Sequence, residues 1–435
     1  MKLDEMQNDV VMSNAQNIVV IAGAGSGKTR VLIERIRRLL QEGVDPNSIV
    51  AITFTKMAAE EMLDRLSDIE GYQKMFVGTI HAFANKILSS KSNFQYNILD
   101  DEAEMYIMKD LCSNVKDFPV SFDLYCDYKS QHYDSGNVYE YITKKYSFAK
   151  SKALRHILEY EPNSEFPITV KSYAKSRNYI TFDELIEICS NYLSDNNIFI
   201  DYLFVDEFQD VGSLEYNFIK NLYAEHCFVV GDDYQAIYGF KGATDIYFKK
   251  LLKSDVWRSY LLANNYRCGS KIINAANKII SNIINEDDGE VLKPANCMSN
   301  NKGKVNFFKT NEELLRIIKS IKKDDYKNWF ILCRANKEIE KLTTMLNEYS
   351  IPNVTFKKFN LDKSALEDLM NSNTIKILTV HSAKGLENKN VIVAYKNPLY
   401  QRWNYDDNGN FKKPEEIKLY YVAMTRAIDN LLLLY

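Results

Sequence analysis

The chain has 435 residues, of which 46% are hydrophobic and 26% are charged, a balance typical of a folded globular protein. Its length predicts about three domains, and its net charge of −3 gives no sign of a strongly basic, nucleic-acid-binding surface. No apolar stretch approaches the roughly 18 residues of a membrane span, and the first residues lack a signal-peptide pattern. We therefore expect no membrane partner and a cytoplasmic location.

The first predicted elements are a strand at 18–21 and an amphipathic helix at 30–40, joined by a glycine-rich loop. The loop consists of Ala22, Gly23, Ala24, Gly25, Ser26, Gly27, Lys28 and Thr29. This order is typical of a P-loop, in which backbone N–H groups and the helix N-terminus bind a polyphosphate. Lys28 would reach the outer phosphates, and the Thr29 hydroxyl would ligate Mg²⁺. An ordinary glycine turn before a helix also fits this pattern, so partners elsewhere must decide between the two.

A second apolar run, at 202–205, ends in Asp206 and Glu207. A P-loop requires a carboxylate at the end of a neighbouring strand, and we predict that Asp206 binds Mg²⁺ while Glu207 acts as the base for the attacking water. An acidic pair after a strand is by itself more often a solvated loop. Together with Lys28 it indicates a site for nucleotide hydrolysis.

The remaining pattern is an interrupted alternation of strands and helices. Further strands are predicted at 49–53, 76–78 and 228–230, so the first region is a doubly wound parallel sheet. Between about 90 and 197 helical patterning replaces the strands, which predicts an inserted helical domain. A second α/β region begins near residue 260, with strands at 305–308, 329–333, 375–380, 391–395 and 431–434 and a last helix at 415–427.

Nine blocks of sequence follow one another in the order typical of one family. They are Gln7, the P-loop, 53–59, 78–81, 205–210, 230–240, 265–267, 379–387 and 421–427. On these blocks the chain resembles the UvrD/Rep/PcrA family of superfamily 1 helicases over nearly its full length. The resemblance implies an α/β protein with two RecA-like P-loop motor domains, each with a parallel sheet, and an inserted helical domain. The first motor domain would cover 1–90 and 198–258, the helical insertion 91–197, and the second motor domain 259–435.

The resemblance also implies that ATP binds between the two motor domains. Gln7 would pair with adenine, Tyr266 would stack on it, Arg30 would flank the base, and Glu387 would lie near the ribose and γ-phosphate. Gln235 would contact the attacking water or γ-phosphate. Arg267 would bind the γ-phosphate, and Arg426 would be an arginine finger from the second motor domain.

A path for single-stranded DNA is implied in the same way. Its residues would be Phe54, Thr55, Thr79, His81, Tyr238, Phe240, Arg334 and His381. Aromatic rings such as Tyr238 and Phe240 can stack on bases irrespective of sequence. Each of these residues, taken singly, is more often a core or cap residue.

Two departures from the family pattern bear on function. Phe240-Lys241 stands where relatives commonly have Trp-Arg, and the stretch between Arg267 and His381 is too short for the mobile domain that full-length relatives insert there. The resemblance implies an ATP-dependent translocase or helicase that moves 3′ to 5′ on single-stranded or tailed duplex DNA. The departures favour an alternative, a DNA-stimulated ATPase serving as a sensor or regulatory subunit, for example with a nuclease in anti-phage defence. A third interpretation, a nucleotide-dependent module that never binds DNA, is compatible with the acidic net charge.

Overall fold

The structure is a computed structural model that describes residues 2–91, 95–99, 178–239, 243–283, 295–356, 361–405 and 413–435. The chain divides into two compact units, Met1–Ile80 with Asn197–Tyr435, and His81–Asn196. Most of the helical insertion predicted at 91–197, and Phe240 with Lys241, fall outside the described residues. Within the described ranges no helix has the length and apolar character needed to cross a bilayer.

The N-terminal half alternates between helices and strands. It begins with α1 (Glu5–Met12), β1 (Asn17–Ala22), α2 (Lys28–Gln41), β2 (Ile49–Thr53), α3 (Lys56–Leu66), β3 (Phe76–Thr79) and α4 (Ile80–Ser89). The smaller unit also contains β4 (Asn97–Ile98), β5 (Tyr179–Ile180) and α5 (Phe182–Asp195), with β4 and β5 paired in parallel. The chain then continues through β6 (Phe199–Val205), α6 (Ser213–Lys220), β7 (Tyr223–Gly231), α7 (Ile246–Leu252) and β8 (Arg258–Leu262).

These strands form the first sheet of the larger unit, which confirms the predicted parallel sheet. Its order is β3-β2-β6-β7-β1-β8, and every neighbouring pair is parallel. The central strand β1 is almost fully buried at 18–20, as expected of a strand covered by helices on both faces. One cover is α2, whose Val31, Ile33 and Ile36 pack on Ile18 and Val20. The carboxyl ends of β1, β6 and β7 therefore meet at one edge of this sheet, where α/β proteins bind their ligands.

Strand β8 belongs to the first sheet, although most of its residues lie beyond the predicted end of the first motor domain. It pairs with β1 over residues 258–262, so the first sheet extends past residue 258, where we predict the first motor domain to end. As an edge strand it buries only Leu262. Its apolar residues are Tyr260, Leu261 and Leu262, which lie where the sequence analysis places the start of the second α/β region.

The rest of the described chain contains the second six-stranded sheet. The elements of this part are β9 (Asn264–Asn265), α8 (Ser270–Ile280), β10 (Asn296–Cys297), β11 (Lys304–Phe308), α9 (Asn311–Lys319), β12 (Trp329–Cys333), α10 (Asn336–Glu348), β13 (Asn353–Thr355), α11 (Lys363–Asn371), β14 (Ile375–Thr379), α12 (Val380–Ala383), β15 (Asn388–Lys396), α13 (Pro414–Met424) and β16 (Ala427–Leu434). The order in the sheet is β11-β16-β15-β12-β14-β13, again parallel throughout, and β9 and β10 form a separate parallel pair. The last helix ends at Met424 rather than at 427, because Ala427 already begins β16. Arg426 thus lies in a turn between the two elements.

Candidate active site

The P-loop has the backbone shape that a phosphate cradle requires. Gly25 and Gly27 have φ values of +65° and +85°, in the left-handed region that favours glycine. A Cβ on Gly25 would lie 2.7 Å from Nδ2 of Asn265, so the loop has no room for a side chain there. The Ser26 hydroxyl is buried and has no hydrogen-bond partner among the described residues. Because an unpaired buried hydroxyl is unfavourable, this loop is built to receive a polar ligand.

Asp206 and Glu207 follow β6 and face Lys28. The Lys28 Nζ lies 3.9 Å from Oε1 of Glu207. Burial, and then the charge of Glu207, raises the pKa of Asp206 to about 7. Burial also acts to raise the pKa of Glu207, but Lys28 and Lys384 outweigh it and lower that pKa to about 2. Glu207 is therefore ionised near neutral pH and chemically able to accept a proton.

The same region fits a magnesium ion. The described residues contain no group of three or more His, Cys, Asp or Glu side chains placed to hold a metal. Mg²⁺ at nucleotide sites uses one or two protein ligands together with phosphate oxygens and water. Asp206 is only 5% exposed and Thr29 lies in the first turn of α2, so this pair fits that donor set. A divalent cation would also favour the ionised form of Asp206.

Gln209 is a site residue that sequence reasoning missed. It is fully buried, its Nε2 donates to Oε2 of Glu207, and its Oε1 accepts from the Asp232 N–H at 2.8 Å. The Asp232 carboxylate in turn accepts from Nε2 of Gln235 at 2.5 Å. These bonds connect the candidate base to Gln235 through the end of β7. The available signal was the position of Gln209 two residues after Glu207 in a matched block.

The two arginines named by the resemblance lie near Gln235, and their roles at ATP stay predictions. Arg426 is 1% exposed, and its Nη2 donates to Oε1 of Gln235 at 3.4 Å. Burial, and then the charge of Arg267, lowers the pKa of Arg426 to about 10, so it stays cationic. Arg267 forms an ion pair with Glu387, and its Nη1 donates to the Thr425 carbonyl at 3.4 Å. The structure therefore brings together Gln235, Arg267, Glu387 and Arg426 from distant parts of the chain.

Lys384 is the second residue that the sequence reading did not assign. Its Nζ forms an ion pair with Asp210, donates to the Gln235 carbonyl at 3.0 Å and lies 4.0 Å from Oε2 of Glu207. Burial raises the pKa of Asp210 to about 6 even though Lys384 opposes that shift. Lys384 lies within the matched block 379–387, but its chemistry follows only from these partners.

The predicted base-binding residues lie beside the P-loop. The Gln7 amide is buried, and its Nε2 donates to the Ser26 carbonyl at 2.8 Å. The Tyr266 N–H donates to the Gly25 carbonyl at 2.9 Å. Arg30 lies in the first turn of α2.

Only some of the predicted DNA contacts come together. The ring of Tyr238 stacks on Phe54 with centroids 5.6 Å apart, and its hydroxyl donates to the His381 carbonyl at 3.3 Å. Phe54 is 38% exposed, whereas Tyr238 is 4% exposed. Stacking of a DNA base on Tyr238 therefore stays a prediction, and it requires the two rings to separate.

The remaining predicted DNA residues have structural partners. The Thr55 hydroxyl caps α3 by accepting from the Ala58 N–H, and Thr79 ends β3. Arg334 binds Glu416, with Nη2 at 2.8 Å from Oε1. In the smaller unit the His81 ring packs edge-on against Phe182 at 5.0 Å, and burial lowers the pKa of His81 to about 4. These contacts do not test the DNA roles, which stay predictions.

Comparison with known proteins agrees with this geometry. A family model described as the UvrD/REP helicase N-terminal domain matches residues 3–255, and one described as the UvrD-like helicase C-terminal domain matches 260–363 and 355–435. A "Probable DNA helicase" of Mycoplasma pneumoniae is 28% identical over 97% of this chain and 81% of its own length. The "ATP-dependent DNA helicase Rep" of Buchnera aphidicola (subsp. Baizongia pistaciae) is 29% identical over 81% of this chain. The "DNA helicase II" of Escherichia coli is 31% identical over 64% of this chain. The chain spans 54% of that Rep protein and 40% of that helicase II.

Proposed function

The chain belongs to the UvrD/REP helicase family, whose members hydrolyse ATP, and from this membership we propose that it is an ATP-driven motor on single-stranded DNA. One observation carries the proposal. Glu207 at the edge of the first sheet interacts with Lys28 and also with Arg426, which follows α13 of the second sheet. Such a site can couple hydrolysis to movement, because its charged groups come from different sheets.

In the proposed reaction ATP is the substrate and the P-loop binds its phosphates. Lys28 pairs with the outer phosphates, and the ionised Glu207 accepts a proton from the water that attacks the γ-phosphorus. Arg267 and Arg426 stabilise the charge that develops on the transferred phosphoryl group. Thr29 and Asp206 would hold Mg²⁺, which neutralises phosphate charge when bound.

Gln235 is proposed to connect the chemistry to the second sheet. It accepts from Arg426 and donates to Asp232, so a change at the γ-phosphate alters a contact between the two sheets. Loss of phosphate would then loosen this contact and change how the protein holds a strand. Movement in the 3′-to-5′ direction and a cytoplasmic location rest on the family alone and stay predictions. The relatives' names are all those of DNA helicases and do not favour the alternative of a regulatory subunit, for example with a nuclease.

The test uses two variants and one control. We expect Lys28→Ala and Glu207→Gln each to lower DNA-stimulated ATP hydrolysis by at least about 100-fold, because each removes a group that acts in the transition state. Glu207→Gln should still bind ATP, since the P-loop is intact. The matched control Lys220→Ala changes an exposed lysine at the end of α6 and should hydrolyse ATP like the wild type.

Hydrolysis is measured with oligonucleotides that carry a 3′ or a 5′ single-stranded tail beside a duplex. The proposal expects stimulation by both and displacement of the short strand from the 3′-tailed duplex only. Turnover near the wild-type rate in both variants would contradict the assignment of the active site. Absence of any stimulation by DNA at low salt would contradict the proposed motor function.

A further inference from the structure

Asp4 has two distinct sets of partners. As the N-cap of α1 it accepts from the Gln7 N–H at 2.7 Å through Oδ1, and the Gln7 Oε1 accepts from the Asp4 N–H at 3.2 Å. This reciprocal pair is a capping box, and a single side-chain oxygen is enough to make it.

The second oxygen of Asp4 reaches a distant part of the chain. Oδ2 accepts from Nδ2 of Asn264 at 2.9 Å and from the hydroxyl of Tyr266. Burial acts to raise the pKa of Asp4, but these hydrogen bonds and that of the Gln7 N–H lower it overall. Capping α1 does not require these two hydrogen bonds, so Oδ2 has a role beyond the cap: it holds the segment that contains Tyr266.

The geometry also fixes the Gln7 amide. Its Nε2 donates to the Ser26 carbonyl and its Oε1 accepts from Asp4, which leaves one donor and one acceptor of the amide. Adenine presents an N7 acceptor and an N6 donor, which pair with one donor and one acceptor of the amide. Guanine presents two acceptors, N7 and O6, and cannot pair with the amide oxygen in this way. An amide that could turn over freely would lose this distinction.

We propose that Asp4 is a positioning residue that holds the Tyr266 ring and the Gln7 amide in one arrangement and thereby sets selectivity for adenine over guanine nucleotides. The inference rests on the proposed function, since it assigns the base-binding end of the same site. The Tyr266 hydroxyl is held by Asp4, and the Tyr266 backbone N–H is held by the Gly25 carbonyl. A base that stacks on the ring therefore binds a surface that is already ordered. A pre-ordered site spares the ligand the entropy of ordering these side chains.

The experiment separates positioning from capping. Asp4→Ser keeps an oxygen that can cap α1 but is too short to reach Tyr266 as well. Tyr266→Phe keeps the ring and the cap and removes only the hydroxyl. The matched control is Asp362→Ser, the same change at the cap of α11, where the carboxylate accepts from the Ala365 N–H.

We expect Asp4→Ser and Tyr266→Phe each to raise KM for ATP about tenfold while kcat changes less than about twofold. The ratio of kcat/KM for ATP to that for GTP should fall at least about fivefold in both, because a base stacked on a mobile Tyr266 ring is no longer held in register with the Gln7 amide. The double variant should be no worse than either single one, because both changes break the same hydrogen bond. The control Asp362→Ser should keep the wild-type KM and the wild-type ratio.

Additive effects in the double variant, or an unchanged ATP-to-GTP ratio in Tyr266→Phe, would overturn the proposal. Tyr266→Phe does not touch the cap, so it decides the question even if Asp4→Ser fails to fold. Calorimetric binding of ATP and GTP to the same proteins reports the ratio without turnover. A wild type that binds ATP selectively but does not hydrolyse it would therefore contradict the proposed function and not this inference.

Discussion

The backbone of Glu207 places its carboxylate beside Lys28 at the candidate nucleotide site. Its φ of 51° is in the left-handed region, which is unfavourable for a residue with a side chain and is concentrated at functional sites. The hydrogen bond from Gln209 then restrains the carboxylate, and Gln209 is itself anchored to the Asp232 N–H. The position of the candidate base thus depends on one buried amide.

We predict that Gln209→Met lowers kcat about 10- to 100-fold with a smaller change in KM, because a misplaced base slows the chemistry without removing the phosphate contacts. Steady-state hydrolysis over a range of ATP concentrations measures the two constants. Gln401→Met is the control, since the Gln401 amide makes an exposed hydrogen bond to the Lys396 carbonyl. A rise in KM at constant kcat in Gln209→Met would contradict a role in positioning Glu207.

At the scale of elements, the unit that matters is the turn from β1 into α2. Gly27 caps α2 with a left-handed backbone, and Lys28 begins the helix. Gly25 lies against the segment after β9, where its carbonyl accepts from the Tyr266 N–H. The loop is therefore shaped both by its own backbone and by contact with a neighbouring segment.

This double constraint gives a prediction with a matched control. Gly43 also has a positive φ, of +90°, but a Cβ there would meet nothing within 4 Å. Gly43→Ala should therefore lower the free energy of unfolding by only about 1 kcal/mol, the cost of placing a side chain in the left-handed conformation. Gly25→Ala adds the clash with Asn265 Nδ2 and with Arg267 Cβ, which lies 2.8 Å away, and should lose about 3 kcal/mol. Urea unfolding measures both free energies, and equal losses would show that the P-loop has room for a methyl group.

At the scale of the whole molecule, buried polar contacts join the two sheets of the larger unit. Lys384, after α12, binds Asp210 and Gln235, and Arg426 binds Gln235. Tyr238 adds its hydrogen bond to the His381 carbonyl and lies under the Lys384 Nζ, 4.9 Å from its ring centroid. Because these contacts adjoin the P-loop, we expect ATP bound at the proposed site to compete with them for the same charged groups.

The Lys384–Asp210 pair can be tested through stability. Lys384→Met should cost about 3 kcal/mol, because it leaves Asp210 buried without its cation. Adding Asp210→Asn should recover a large part of that loss, since the unpaired charge is then gone. Lys363→Met is the control, because its ion pair with Asp64 is exposed and screened by solvent, so its loss should hardly change the stability. Chemical denaturation of the wild type, Lys384→Met, Asp210→Asn and the double variant gives the coupling energy. Strictly additive losses of stability would contradict a buried, mutually dependent pair.

The local parts of this protein were readable from the sequence because their signals are local. The P-loop is eight consecutive residues. The strands β1, β2, β6 and β7 contain apolar runs in the sequence, so they were predicted with errors only at their ends. Strand β8 was not predicted as a strand, because its short apolar segment at 260–262 was assigned to the start of the second α/β region, and only its pairing with β1 shows that it belongs to the first sheet. The likeness of motif blocks then supplied roles, such as that of Arg426, which periodicity cannot indicate.

Tertiary structure alone decided which polar side chains share a site. Tyr266 and Asp4 are 262 residues apart, and Lys384 and Asp210 are 174 apart. Chain spacing carries no information about such pairs, because they form only when both sheets have folded and the carboxyl ends of their strands meet. Neighbouring cations then keep Glu207 ionised, and hydrogen bonds set the orientation of the Gln7 and Lys384 side chains. The sequence by itself thus determined the fold class and the phosphate loop, and the packing of distant segments decided how the groups around that loop are held.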